Sequence, residues 1–246
     1  MAWSPARSGL LGLRLVQLYV GLLCYGLAGA LQVRSGLGLD PWDVLHQGIS
    51  RHTGLAIGTV VIVVGAAVLL LWIPLRQWPG LGTASNVVLI GVSMNLALQW
   101  LPHPHAIGWR IFDMVFGVAL CGVATGMYIG ADFGPGPRDG LMTGFARRSG
   151  RSIRLVRTGI EVTVLAVGWS LGGTVGVGTV LFAVVIGPLT QLLLPLFAHG
   201  RVREQFRGTA RGPVGEDGQS AHGRVRAATS CAGGRTDSTL APAPAS

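Results

Sequence analysis

Apolar residues gather into six long runs, at roughly 15–33, 55–75, 83–101, 111–131, 158–175 and 177–198. A helix needs about 20 apolar residues to cross the hydrocarbon of a bilayer, and each run is close to that length. Four runs contain no charge; the exceptions are Asp113 in the fourth and Glu161 in the fifth. Between the first two runs, Asp40-Pro41-Trp42-Asp43 reads as a helix start. Asp40 can cap, Pro41 suits the first helical position, and Asp43 faces the positive end of the helix dipole. Gly54 closes this helix in a left-handed turn. Gly136, Pro137, Asp139 and Gly150 mark an equivalent short helix between the fourth and fifth runs. A helix of this length, rising ~1.5 Å per residue, reaches only ~20 Å, too short to cross. It should lie at the membrane interface or dip in and return, with Gly48 and Gly144 allowing close packing on a neighbour.

The pattern occurs twice, at an offset of 96 residues. Gly38, Pro41, Asp43, Leu45, Gly48, Arg51 and Gly54 return as Gly134, Pro137, Asp139, Leu141, Gly144, Arg147 and Gly150. Gly80-Leu81-Gly82-Thr83 returns as Gly176-Val177-Gly178-Thr179, and Gly91 as Gly187. Aligning 14–102 with 110–198 without a gap gives 24 identities in 89 positions. An internally duplicated membrane protein has few architectures open to it. Three runs per repeat insert the second copy upside down relative to the first. The expected fold is therefore all-α, with six transmembrane helices arranged as two inverted three-span repeats. Each repeat carries one short interfacial or re-entrant helix.

Composition agrees with the membrane class. The chain has 246 residues, half of them hydrophobic and 12% charged, against about 25% charged in soluble domains. Arg7, Arg14 and Ala28-Gly29-Ala30 give the first run the look of a secretory signal. Its counterpart at 111–129 lies mid-chain, so it is read as a retained span. Every basic residue is arginine. Arg7, Arg14, Arg76, the loop 132–157 and the C-terminal tail fall on one side of a six-span arrangement, and Arg34, Arg51 and Arg110 on the other. Basic residues collect on the cytoplasmic side, so both termini are expected there. Trp72, Trp78, Trp100 and Trp109 are expected at the membrane interfaces. Residues 1–200 form the membrane domain on this reading. Residues 201–246, rich in Gly, Ala, Ser, Pro and Arg, cannot bury enough to fold and form a disordered cytoplasmic tail.

Asp43 and Asp139 carry two readings: stabilisation of helix ends, or symmetry-related carboxylates that bind a cation, a proton or a substrate amine. His46 lies one turn after Asp43, but its counterpart is Met142, so no metal site is expected. Thr83 and Thr179 are expected to cap the third and sixth spans, with Gly80, Gly82, Gly176 and Gly178 giving the tight entry. Asn86 lies within the third span, and Asn95 and Gln191, at equivalent positions, are candidates to face a common interior. Polar residues in membrane helices more often bond a neighbouring helix than a ligand. Arg157 and Glu161, four residues apart, should pair, and Asp113 should pair with Arg110. Cys24, Cys121 and Cys231 have no metal or redox spacing. There is no H-E-x-x-H or G-x-S-x-G motif, and without lysine no phosphate loop of the usual form. No enzyme activity and no cofactor are expected.

The runs G-L-G-L-D-P-W-D-V-L-H-Q-G-I-S (36–50), L-W-I-P-L-R (71–76) and G-L-G-T-A-S-N (80–86) resemble the YczE-like bacterial integral membrane proteins, within the wider YczE/YyaS/YitT group. The resemblance covers roughly 10–200. It implies a bacterial plasma-membrane protein and supplies no catalytic or ligand residues. The expected function is a small-molecule or ion permease; the alternative is a non-transporting accessory protein for assembly or regulation of partner proteins. Expected partners are the lipid bilayer, a small molecule or ion of unknown identity, and a second copy or another protein, but no nucleic acid.

Overall fold

The computed structural model describes residues 5–199, with side chains from residue 11 onward; the expected tail at 201–246 lies outside the described residues. The regular elements among the described residues are helices: α1 (Pro5–Ser35), α2 (Pro41–Thr53), α3 (Ile57–Leu75), α4 (Leu81–Trp100), α5 (Ile107–Gly130), α6 (Pro137–Ser149), α7 (Ile153–Ser170) and α8 (Val177–Phe197). Five are long and apolar enough to cross a membrane: α1 from Leu11 onward, α3, α4, α5 and α8. The fifth apolar run departs from expectation. Its helix, α7, begins at Ile153 and takes in Arg154, Arg157 and Glu161 over 18 residues. Each charge at the centre of a membrane helix costs about 2.5–3.5 kcal/mol on insertion scales, and α7 falls outside the apolar set.

Local chemistry sets the short helices. In α2, Asp40 Oδ1 accepts from the backbone N–H of Trp42 at 2.9 Å and of Asp43 at 3.0 Å. Gly54 ends the helix at φ 73°, its N–H donating to Ser50 O. In α6 the cap position is Gly136, which offers no side chain, and Gly150 ends the helix at φ 66°. Thr83 and Thr179 do not occupy the cap position of α4 and α8. Each sits two residues into its helix, and its hydroxyl accepts from the cap N–H of Gly80 at 3.2 Å or Gly176 at 3.3 Å. The glycines take the cap because the incoming loops pass too close for a side chain: a Cβ on Gly80 would lie 2.3 Å from Phe133 O, and one on Gly176 2.3 Å from Leu37 O.

Helices α1 and α5 pack antiparallel at the centre. Arg14, early in α1, donates to the carbonyls of Ala131 and Asp132 at 2.9 and 3.0 Å, just past the end of α5. Arg110, early in α5, donates to Ser35 and Gly36 at 2.7 and 3.1 Å, at the end of α1. Arg110 is therefore engaged with carbonyls, correcting the expected pairing with Asp113. Helix α4 packs on α1, and α8 on α5.

Each short helix leans on a long helix of the other repeat, α2 on α7 and α6 on α3. The loops cross over in the same way: Gly82 N–H donates to Phe133 O at 3.0 Å, and Gly178 N–H to Leu37 O at 2.9 Å. Gly48 packs against Gly168 and Leu171, and Gly144 against Leu75 and Gln77. Trp72 is buried, with its indole N–H on Pro137 O at 3.1 Å. Only Gly140 leaves room for that ring, since a Cβ there would lie 1.9 Å from it. Trp72 thus belongs to the core, whereas Trp78, Trp100 and Trp109 are exposed as expected at span ends. Exposed Ile73, Leu192 and Leu196 give the outer face the apolar character that lipid contact requires.

Candidate functional site

The two short helices begin next to one another, and the side chains at their first turns form one buried charged cluster. Asp40, Asp43 and His46, 2–3% exposed, come from α2 and the residue before it. Arg138 comes from the first turn of α6, half-buried, with its guanidinium 5.3 Å from the centre of the Trp42 ring. Its Nη1 lies 3.6 Å from Asp40 Oδ1 and its Nη2 3.9 Å from Asp43 Oδ1. These are ion-pair separations beyond hydrogen-bond reach. His46 Nδ1 is 2.9 Å from Asp43 Oδ1; a carboxylate only accepts, so that nitrogen carries the proton. On α6, Asp139 Oδ2 accepts from the Tyr128 hydroxyl at 2.6 Å.

Burial governs the protonation of the groups outside the spanning helices. Asp40, which precedes α2, is pushed up to about 6 by burial and then by the Asp43 carboxylate beside it. Asp43 is raised by burial, with Arg138 acting against it. His46 is pushed down to about 3, first by burial and then by Arg138, so its imidazole is neutral at pH 7. Two buried carboxyl groups, Asp40 and Asp43, thus share a single guanidinium at ion-pair distance.

A cavity of about 70 Å³ opens on this cluster, with Tyr25, Trp42, His46, Asn86, Arg138 and Asp139 in its wall. The Tyr25 and Tyr128 rings meet edge to face, 6.1 Å between centroids. A second cavity of about 180 Å³ shares Trp42, Arg138 and Asp139 with the first and continues past Gln191. Aromatic faces beside carboxylates suit cations, because the ring quadrupole presents negative charge above its plane.

Of the five residues expected to meet a substrate or ion, Asp43, Asp139 and Asn86 come together here. Asn86 is buried and lines the first cavity, its Nδ2 among the atoms around Gly136 together with Asp139 Oδ2 and Tyr128 Oη. Asn95 lies elsewhere: its Oδ1 accepts from Gly58 N–H at 2.8 Å and its Nδ2 donates to Thr59 Oγ1 at 3.2 Å, tying α4 to the start of α3. Gln191 lines only the second cavity and is exposed. The equivalent pair therefore does not face one interior. Arg138, Asp40, Trp42, Tyr25 and Tyr128 were absent from the expected set. The available signal was the repeat itself, which sets Arg138 opposite Trp42 and Gly136 opposite Asp40 where flanking residues are shared.

Residues 12–195 match a family described as a family of unknown function, DUF6198. The chain belongs to that family. It is 40% identical over 182 residues to an uncharacterized protein of Haemophilus influenzae, covering 74% of this chain and 84% of the relative. It is 34% identical over 175 residues to the uncharacterized membrane protein YczE of Bacillus subtilis, covering 71% and 81%. YyaS of the same organism is 25% identical over 193 residues, covering 77% and 96%. The protein is thus a YczE-like, multi-pass membrane protein. No solved structure matches it.

Proposed function

We propose that this DUF6198 member is a permease for small organic monocations. On this reading, two inverted repeats bring Asp40, Asp43 and Asp139 together as the cation-binding carboxylates. The observation that carries the reading is the buried cluster at the first turns of α2 and α6, where two carboxyl groups and the Trp42 ring face one loosely held arginine, and Asp139 shares its cavity wall. A buried charge without full compensation is costly, and ionisable groups in the interior of a membrane protein mark substrate or ion pathways. Sites between short helices contributed by inverted repeats are a recurring transporter arrangement. The antiparallel α1 and α5, and the paired arginine-to-carbonyl contacts at a 96-residue offset, support the inverted duplication. The skew of arginines towards one set of loops supports cytoplasmic termini in a bacterial plasma membrane.

Proton competition follows from the site. A bound cation favours ionised Asp40, so acidification through about 6 opposes binding, by at most about tenfold per pH unit for one coupled proton. The test is counterflow of labelled methylammonium, guanidinium and tetramethylammonium into liposomes containing the purified protein. At least one should accumulate at neutral pH, more slowly in acid, and fall to the protein-free background in the Asp43→Asn, Asp139→Asn double variant. No accumulation of any of the three, at any pH, overturns the permease reading in favour of an accessory role.

A further inference from the structure

The two repeats differ at one seam. In the first repeat, α3 and α4 are in backbone contact: a Cβ on Gly58 would lie 2.1 Å from Gly91 O, and one on Gly91 2.3 Å from Gly58 O. Asn95 ties the same crossing, and Val87 covers Gly65. In the second repeat α7 and α8 hardly touch. Gly58 is replaced by Arg154, Val61 by Arg157 and Gly65 by Glu161. Gly187, the counterpart of Gly91, has nothing within 4 Å of a Cβ built on it. The difference is written into the residues, because bulky charged side chains on α7 forbid the close crossing that paired glycines allow.

The opening leads to the carboxylate cluster. Arg157 and Glu161 on α7 and Phe182, Ile186 and Gly187 on α8 line the outer space, and the same residues line the second cavity, whose inner wall is Asp40, Arg138 and Asp139. Along the wall three carboxyl groups outnumber two guanidiniums. Arg157 and Glu161 satisfy each other at 3.0 Å, which leaves the excess negative charge at the inner end. The α8 side is apolar, and exposed Val180 and Val184 carry that character outward.

We infer that the seam between α7 and α8 is a lateral mouth through which an amphiphilic organic monocation reaches Asp40 and Asp139, its charged head passing the Arg157–Glu161 pair while its apolar tail stays against Phe182 and Ile186. This rests on the cation reading of the central site and adds a route and a substrate shape. A cation with a single aliphatic chain matches a passage with carboxylates at its inner end and hydrocarbon along one side. A short hydrophilic cation gains nothing from the apolar wall.

The test uses full-length protein in nanodiscs and follows association of decylamine and of ethylamine by Trp fluorescence. Gly187→Phe, or Ala183→Trp should the first variant fold poorly, fills the mouth without touching the carboxylates. Decylamine association should slow about tenfold or more in the filled variants, with ethylamine association unchanged. Asp43→Asn with Asp139→Asn should abolish binding of both amines. If the carboxylate variants lose binding but the filled variants take up decylamine at the native rate, the site stands and the lateral mouth is wrong. If the native protein binds neither amine, the cation reading fails and the mouth with it. Spontaneous disulfide-linked dimers of Gly187→Cys would show that a second copy covers the seam, and would also overturn lateral entry.

Discussion

Arg138 shows how much one residue can decide. It stands where the first repeat has Trp42, and its guanidinium covers that Trp42 ring while lying 3.6 and 3.9 Å from the Asp40 and Asp43 carboxylates. Removing the partner of a buried charge costs about 3–5 kcal/mol. Arg138→Ala should therefore lower thermal stability in detergent by about 3 kcal/mol at neutral pH. The loss should shrink in acid. Asp40 holds its proton to about 6 in the fold, against a usual 3.8. Its contribution to stability is thus greatest in acid and declines as pH climbs from about 4 to about 6. Below that range the unpaired carboxylate is neutral and the variant approaches the native protein; a pH-independent loss would show that Arg138 acts through packing alone. Local rules made Asp40, Pro41 and Gly54 legible, because a cap, a first-turn proline and a left-handed glycine need only their neighbours. Arg138 was not legible, since its partners arrive from a helix about a hundred residues earlier. Asn95 illustrates the same limit: its polarity was visible, but not the choice of Gly58 and Thr59 as its partners.

Between elements, glycine placement separates tight seams from open ones. Gly91 and Gly187 are equivalent in the repeat, yet one faces backbone at 2.3 Å and the other faces open space. Gly91→Ala should destabilise the protein by about 1–3 kcal/mol, the usual range for overpacking. Gly187→Ala should stay within about 0.5 kcal/mol. Thermal unfolding of the two variants side by side checks this, and equal effects would mean that α7 and α8 close as tightly as α3 and α4. The helices themselves were largely readable, because apolar runs of spanning length leave little choice of secondary structure. Trp72 misled, since an indole at the end of an apolar run looks like an interfacial anchor. Its burial depends on the absent side chain of Gly140, a residue on another helix. The fifth run shifted because α7 starts at Ile153, taking in Arg154 and Arg157 ahead of a run that already held Glu161, and ends at Ser170.

For the whole molecule, the site exists because the two repeats meet. Neither α2 nor α6 alone assembles the cluster: Asp40, Asp43 and His46 come with one, and Arg138 and Asp139 with the other. The arginine contacts of Arg14 and Arg110 set α1 and α5 antiparallel. If α1, α3 and α4, each long and apolar enough to cross, all do so, an odd number of spans precedes α5, and the proposed inverted arrangement has α2 and α6 approaching from opposite sides of the membrane. This follows whether or not α7 crosses. Compartment-specific reporter fusions at Leu45 and Leu141, one in each short helix, test it most directly. The account predicts opposite compartments for the two positions; finding both on the same side would contradict it.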